Sequence, residues 1–144
     1  MSAYVRDYQL GDLHRVKSKH SPQMDREFVE EHIEKSLSRT ICEEGTDAVL
    51  ASFGIWIDEG AGIGLVWIDF SPDAQQRYPL FLARTIRRHI KIAESRWNLE
   101  RIVTLIAEDD PRSIRWINWL GFKPVTPEDW GEIPEGQIVY ARAC

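Results

Sequence analysis

Two carboxylates stand where this chain can do proton chemistry. Asp69 lies near the end of one apolar run (63–70), and Glu108 directly follows another (102–107). A carboxylate so placed can take a proton from an amine, directly or through water. The plain alternative is a solvated strand end or a helix cap. A second chemical feature is basic. Arg84, Arg87, Arg88 and Lys91 recur at i, i+3, i+4 and i+7, which puts them on one face of a helix. Such a stripe is a solvated face, an anion contact, or a docking surface for an acidic partner. His14, His20, His32 and His89 show no spacing to one another or to acids that suggests a metal site. Cys42 and Cys144 are far apart, which gives neither a zinc pair nor a disulfide framework, so reduced thiols are expected.

These residues need elements to hold them. Residues 4–8 read as a first strand. Asp12 starts a helix to about residue 20 that buries Leu13 and Val16. After Ser21-Pro22, a second helix runs from Asp25 to about Leu37, with Phe28, Val29, Ile33 and Leu37 at helical spacing. Residues 40–43 and 48–57 read as strands. Asp58-Glu59-Gly60-Ala61-Gly62 is a turn, and residues 63–70 return as the second arm of a hairpin. Ser71-Pro72-Asp73 closes that strand. A long helix then runs from Tyr78 or Pro79 to Trp97, with Leu82, Ile86, Ile90 and Ala93 facing the sheet.

The strand at 102–107 is followed by a short helix over 111–120. Asp109 or Asp110 caps it, Pro111 suits its first position, and Gly121 suits the left-handed residue that ends it. Strands at 122–125 and 137–141 finish the chain. A loop with Pro127, Trp130, Pro134 and Gly136 joins them. The order predicts one α/β domain over residues 1–144.

Composition narrows the function. The chain has 144 residues, 43% of them hydrophobic, with six tryptophans, enough for a sizeable core. The net charge of −5 argues against a general nucleic-acid binder. No run approaches the ~20 apolar residues of a membrane span. Met1-Ser2-Ala3-Tyr4-Val5-Arg6-Asp7 has no apolar signal-peptide core, so a cytoplasmic setting is expected.

The element order, the opening Val-Arg-Asp-Tyr-Gln-Leu-Gly-Asp-Leu and the ending Leu120-Gly121-Phe122 resemble the GCN5-related N-acetyltransferase (GNAT) superfamily along essentially the whole chain. The resemblance implies a mixed, mostly antiparallel sheet of about six to seven strands flanked by about four helices. It implies acetyl-CoA as cofactor. The family cradles the pyrophosphate with an Arg/Gln-x-x-Gly-x-Gly/Ala loop before the long helix. Here the stretch reads Asp73-Ala74-Gln75-Gln76-Arg77-Tyr78-Pro79-Leu80-Phe81 and holds no glycine. If acetyl-CoA binds, the resemblance assigns it to Gln76, Arg77, Tyr78, Leu80 and Arg84, and the basic stripe to its 3′-phosphate. The strand ending near Asp69 lines the family's substrate cleft, so Asp69 and Glu108 become candidate bases. The family's tyrosine general acid falls at Ile117, which cannot donate a proton, and its asparagine after the fifth strand falls at Asp110.

From the long basic helix onward, the chain also resembles small GNAT-like proteins of short-tailed phages, including an internal virion protein, through Ile114-Arg115-Trp116 and the apolar-Gly-apolar unit. That resemblance implies a non-catalytic virion-associated or assembly protein acting on protein partners, with self-association another option. Loss of the glycines and the tyrosine together tips the sequence reading towards such a scaffold. An active acetyl-CoA-dependent N-acetyltransferase on an amine is the alternative.

Overall fold

A computed structural model describes residues 2–16, 26–31, 36–126, 133 and 135–144. The side chains of Phe28 and Val29, and all of His20, His32, Ile33, Pro127, Trp130 and Pro134, lie outside the described residues. The described elements are β1 (Ala3–Asp7), α1 (Asp12–Arg15), α2 (Arg26–Glu31), β2 (Ser36–Glu43), β3 (Val49–Asp58), β4 (Ile63–Phe70), α3 (Pro72–Arg77), α4 (Pro79–Trp97), β5 (Arg101–Ala107), α5 (Pro111–Trp119), β6 (Lys123–Pro124) and β7 (Gln137–Ala143).

Seven strands form one sheet in the order β1-β2-β3-β4-β5-β7-β6. Every pairing is antiparallel except β4 with β5. The sequence expectation of a mixed, mostly antiparallel sheet holds. Two boundaries differ. Leu37, expected on a helix, lies in β2, opposite Ile55 of β3. Its spacing fits either period, and burial against the sheet decides it. The expected loop between Phe70 and Tyr78 folds into α3, because the Ser71 hydroxyl accepts the Ala74 N–H and Pro72 suits the first helical position.

The strands alternate cleanly between two faces. Ala51, Phe53, Ile55 and Ile57 of β3 and Val66 of β4 meet Leu82, Ile86, Ile90 and Ala93 of α4 in the main core. Trp67 points to the opposite face, where it packs with Tyr8 and Leu13. Its indole lies where a Cβ on Gly54 would come within 2.6 Å of the ring. Gly54 is therefore a space requirement on the α1 side of the sheet.

The helix α5 ends as its sequence predicts. Asp110 caps it through Ser113 N–H. Gly121 takes φ 92°, Phe122 N–H donates to Ile117 O, and Gly121 N–H donates to Asn118 O. This double bond with a left-handed glycine is the Schellman motif, and its companion contact joins the buried side chains of Ile117 and Phe122.

Gly54→Ala must push the buried Trp67 ring aside. We expect a loss of about 1–3 kcal/mol, read as a lower thermal midpoint; an unchanged midpoint would mean the ring moves freely.

Candidate functional site

The sheet is two half-sheets joined by a short seam. On one side β1 to β4 pair along their lengths, and on the other β5, β7 and β6 do the same. Between the halves, β4 and β5 register only at Ile63 with Arg101, Gly64 with Ile102 and Leu65 with Val103. Thr104 Oγ1 then donates to Val66 O at 2.9 Å, closing the seam with a side chain in place of a ladder bond. The paired register of β4 with β5 ends there, short of residues 67–70 and 105–107.

A pocket of about 430 Å³ lies between α4 and α5, with Phe70 at the end of β4 in its wall. Phe70, Pro79, Leu82, Trp116 and Trp119 give it apolar walls, and Gln75, Arg112 and Ser113 give it a polar edge. Phe70 and Trp116 meet edge to face at 6.0 Å across it. Arg112 donates to Gln75 Oε1 at 3.3 Å, tying α5 to α3 at the rim.

Asp69 belongs to the other face. It is buried in the parted stretch of β4, at 6% exposure. The strand register sets Arg6, Thr40, Ser52 and Asp69 side by side across β1, β2, β3 and β4. Asp12, fully buried at the start of α1, anchors this polar row. Its carboxylate takes a bidentate contact from Arg6 at 2.8 and 3.0 Å, a bond from Thr40 Oγ1 at 2.6 Å, and one from Gln9 N–H at 2.8 Å. Thr40 in turn shares a hydrogen bond with Ser52 at 3.1 Å. Burial alone pushes the Asp12 carboxyl upward, but the bonds from Arg6, Thr40 and Gln9 and the Arg6 charge outweigh it and hold it below the usual carboxylate range.

Glu30 of α2 closes this side. It accepts from Tyr8 Oη at 3.0 Å and from Gly11 N–H at 2.7 Å. Burial, then the bond to Glu30, push the Tyr8 phenol up to about 12 despite the donating Leu13 N–H, so Tyr8 stays a donor at neutral pH.

The structure brings only some of the expected site residues together. Glu108 is exposed in the turn after β5, apart from the buried setting of Asp69. Gln76 is exposed on α3. Arg77 turns towards β2. It meets Glu43 at 2.6 Å and Asp73 at 3.1 Å, and stacks over the Tyr78 ring at 5.2 Å. The Tyr78 hydroxyl also donates to Glu43, at 3.0 Å; burial first and this bond second push its pKa up. Leu80 is 65% exposed at the start of α4, and Arg84 is exposed one turn further on. No side chain caps α4, and Pro79 fills its first position. Ile117 is buried in the main core.

Sequence reasoning missed the pocket residues Phe70, Arg112 and Ser113, and the row Arg6–Asp12–Thr40–Ser52. β3 held part of the signal for the row, since Ser52 is a polar step in an otherwise apolar run. Among the described residues no group of three or more His, Cys, Asp and Glu is placed to hold a metal. His89 is partly buried against Phe53 at 5.1 Å, and its pKa is lowered by that burial. No described helix is long and apolar enough to cross a membrane.

Solved structures share this arrangement of strands and helices. An acetyltransferase from Streptococcus agalactiae 2603 superposes with a TM-score of 0.76 at 17% identity, covering 99% of this chain and 98% of that one. The fold is the GNAT fold. A GNAT-family acetyltransferase from Bacillus anthracis gives 0.67 at 13% identity over 98% and 94% of the two chains. A dodecameric spermidine N-acetyltransferase from Vibrio cholerae gives 0.68 at 16% identity over 96% and 91%. No family model and no curated protein matches the chain.

The Asp12 ion pair sets a pH dependence. Its folded pKa is depressed, so its stabilisation is present above the unfolded carboxylate value of about 3.9 and is lost as pH falls through the folded value. Asp12→Asn leaves Arg6 without its charged partner. We expect the variant to be destabilised by about 3–5 kcal/mol at pH 7, and that gap to narrow below about pH 4. Denaturant titrations at both pH values measure it, and a gap independent of pH would show that the charge of Asp12 is not what stabilises the fold.

Proposed function

We propose that the chain is an N-acyltransferase that moves an acyl group from a thioester to a primary amine, with Asp69 as general base. The observation that carries this reading is the placement of Asp69: buried, on the parted stretch of β4, facing α1 and α2, with the apolar pocket on the opposite side of the opening. A thioester arm enters from the α4–α5 side and an amine from the α1–α2 side, and the two meet between β4 and β5. The amine nitrogen bonds the carbonyl carbon, and the carbon–sulfur bond breaks. The amine's proton goes to Asp69, and the departing thiolate takes its proton from solvent. The row Ser52–Thr40–Asp12–Arg6 fixes the strand positions around Asp69.

Acetyl-CoA fits this site in part. A pantetheine arm is narrow and mixed in polarity, and the pocket offers Phe70, Leu82 and Trp116 beside Ser113 and Gln75. The start of α4 offers the Leu80 and Phe81 N–H groups to a phosphate. The diphosphate fits less well. No glycine lies between Ser71 and Phe81, Pro79 removes a donor, and Arg77 is held by Glu43 and Asp73. Arg84, exposed on α4, is the cation best placed to meet a phosphate there.

The second reading is the non-catalytic scaffold, virion-associated in kind and acting through protein contacts. One observation favours it: Ile117, where the family's tyrosine falls by alignment, is packed into the core. The amine neighbours named above favour the enzyme, since spermidine N-acetyltransferases act on an amine. The dodecameric form of one of them supports a homo-oligomer.

A thiol-release assay with acetyl thioesters and a panel of primary amines decides between the readings. Wild type is expected to release thiol only with amine present. Asp69→Asn is expected to lower kcat by about a hundredfold or more, with the KM for the thioester little changed and the acidic limb of the pH–rate profile gone. No release with any amine would leave the scaffold.

A further inference from the structure

The misfit between pocket and diphosphate has a counterpart on α4. Arg84, Arg87, Arg88, Lys91 and Arg96 are exposed along one face of that helix. From Arg84 to Arg96 the face is about 18 Å long at the ordinary helical rise. That is longer than one nucleotide phosphate needs. The cations border a shallow groove of about 950 Å³ with Ile92, itself 39% exposed, in its floor. The one described acid on this helix, Glu94, pairs with Arg142 at 3.1 Å and so does not neutralise the stripe.

A second depression lies between the basic face and the pocket. Arg87 borders both the groove and this depression of about 650 Å³ over Trp119, Lys123 and Ala141. Trp119 borders that depression and also the pocket between α4 and α5. The Arg87 guanidinium lies 5.5 Å from the Trp119 ring centroid, at the junction. A basic groove with an apolar centre thus leads to an apolar slot at the parted strands.

Resting on the acyltransferase reading, we propose that the acyl donor is an acidic carrier protein bearing a phosphopantetheine thioester, docked on the basic face of α4 with its arm in the pocket between α4 and α5. The arm carries one phosphodiester, which the start of α4 can meet with Leu80 and Phe81 N–H; it lacks the diphosphate that the glycine-free loop does not cradle. Charge complementarity argues for an acidic partner, because exposed Arg84, Arg87, Arg88, Lys91 and Arg96 make this face basic. Ile92, exposed among the cations, argues for a protein surface over a phosphate polymer. On transfer, the amine gains the acyl group and the carrier leaves as the free thiol.

The test compares donors and reverses charge on the groove. The probes are a purified acidic acyl carrier protein in its apo, holo and acetyl forms, acetyl-CoA, and acetyl-pantetheine. Wild type is expected to bind the holo carrier in an anisotropy titration, and to use the acetyl carrier with a kcat/KM at least about tenfold above acetyl-CoA. The double variant Arg88→Glu/Lys91→Glu is expected to lose that advantage while keeping its rate with acetyl-pantetheine and its thermal midpoint. Acetyl-CoA as the better donor, unaffected by the double variant, would overturn the carrier and leave the acyltransferase standing. Product from none of the three donors would remove both. Binding of duplex DNA or of a second copy, lost in the double variant without any carrier binding, would assign the face to that partner and overturn the proposal.

Discussion

The parting of β4 and β5 is the constraint on which this molecule turns. A buried strand that leaves its neighbour exposes backbone donors and acceptors, each costly if unmet. The chain limits that cost in two ways. Each strand keeps a full antiparallel partner on its outer edge, β3 for β4 and β7 for β5. At the fork, Thr104 supplies a hydroxyl to Val66 O, so the seam ends on a satisfied acceptor. The opening beyond is therefore a built feature of the sheet, and both α3 and α5 are positioned by it. α3 follows the end of β4 through the Ser71 cap, and α5 follows the end of β5 through the Asp110 cap.

The two faces of the opening have different chemistry because strand alternation separates them. On the α4 side, Phe53, Ile55, Val66 and Phe70 are apolar and continue into the pocket. On the α1 side, Ser52 and Asp69 interrupt strands that are mostly apolar, Thr40 lies beside Ser52, and the buried Asp12 with its Arg6 partner anchors them. A buried ion pair of this kind contributes little net stability over an apolar substitute, because desolvation offsets the attraction. It does fix register. A one-residue slip of β2 against β3 would set Thr40 into the main core and break the contact with Asp12.

How much of this was legible in the sequence differs by element. The long helix α4 and the capped, glycine-terminated α5 could be read directly, since their signals are local: Pro79 and Pro111 at the starts, the 3.6 period of Leu82, Ile86, Ile90 and Ala93, and Gly121 at the stop. Leu37 could not, because one leucine between polar residues suits either period and only its pairing with Ile55 decides. The short helix α3 was hidden by the same residues that signal a turn, Ser71-Pro72-Asp73, which cap and start it. The candidate base Asp69 was visible as a carboxylate in an apolar run. Its relation to Ser52, Thr40 and Asp12 was not, because it depends on the register of four strands. Arg77 and Tyr78 were placed by analogy of position, and the acid that holds them, Glu43, comes from a strand more than thirty residues earlier.

Glu43 explains why the loop before α4 departs from an open anion cradle. Its side chain is 7% exposed, and it accepts from both Arg77 and Tyr78. A buried carboxylate needs such partners, and here they come from the residues next to the start of α4. The cation that would otherwise face a phosphate is spent on β2, and Pro79 then begins the helix one residue later. The absence of glycine between Ser71 and Phe81 and the turning of Arg77 towards Glu43 go together: the segment is a packed corner between β2 and α4. The exposed positive charge of this region lies along α4, from Arg84 onward.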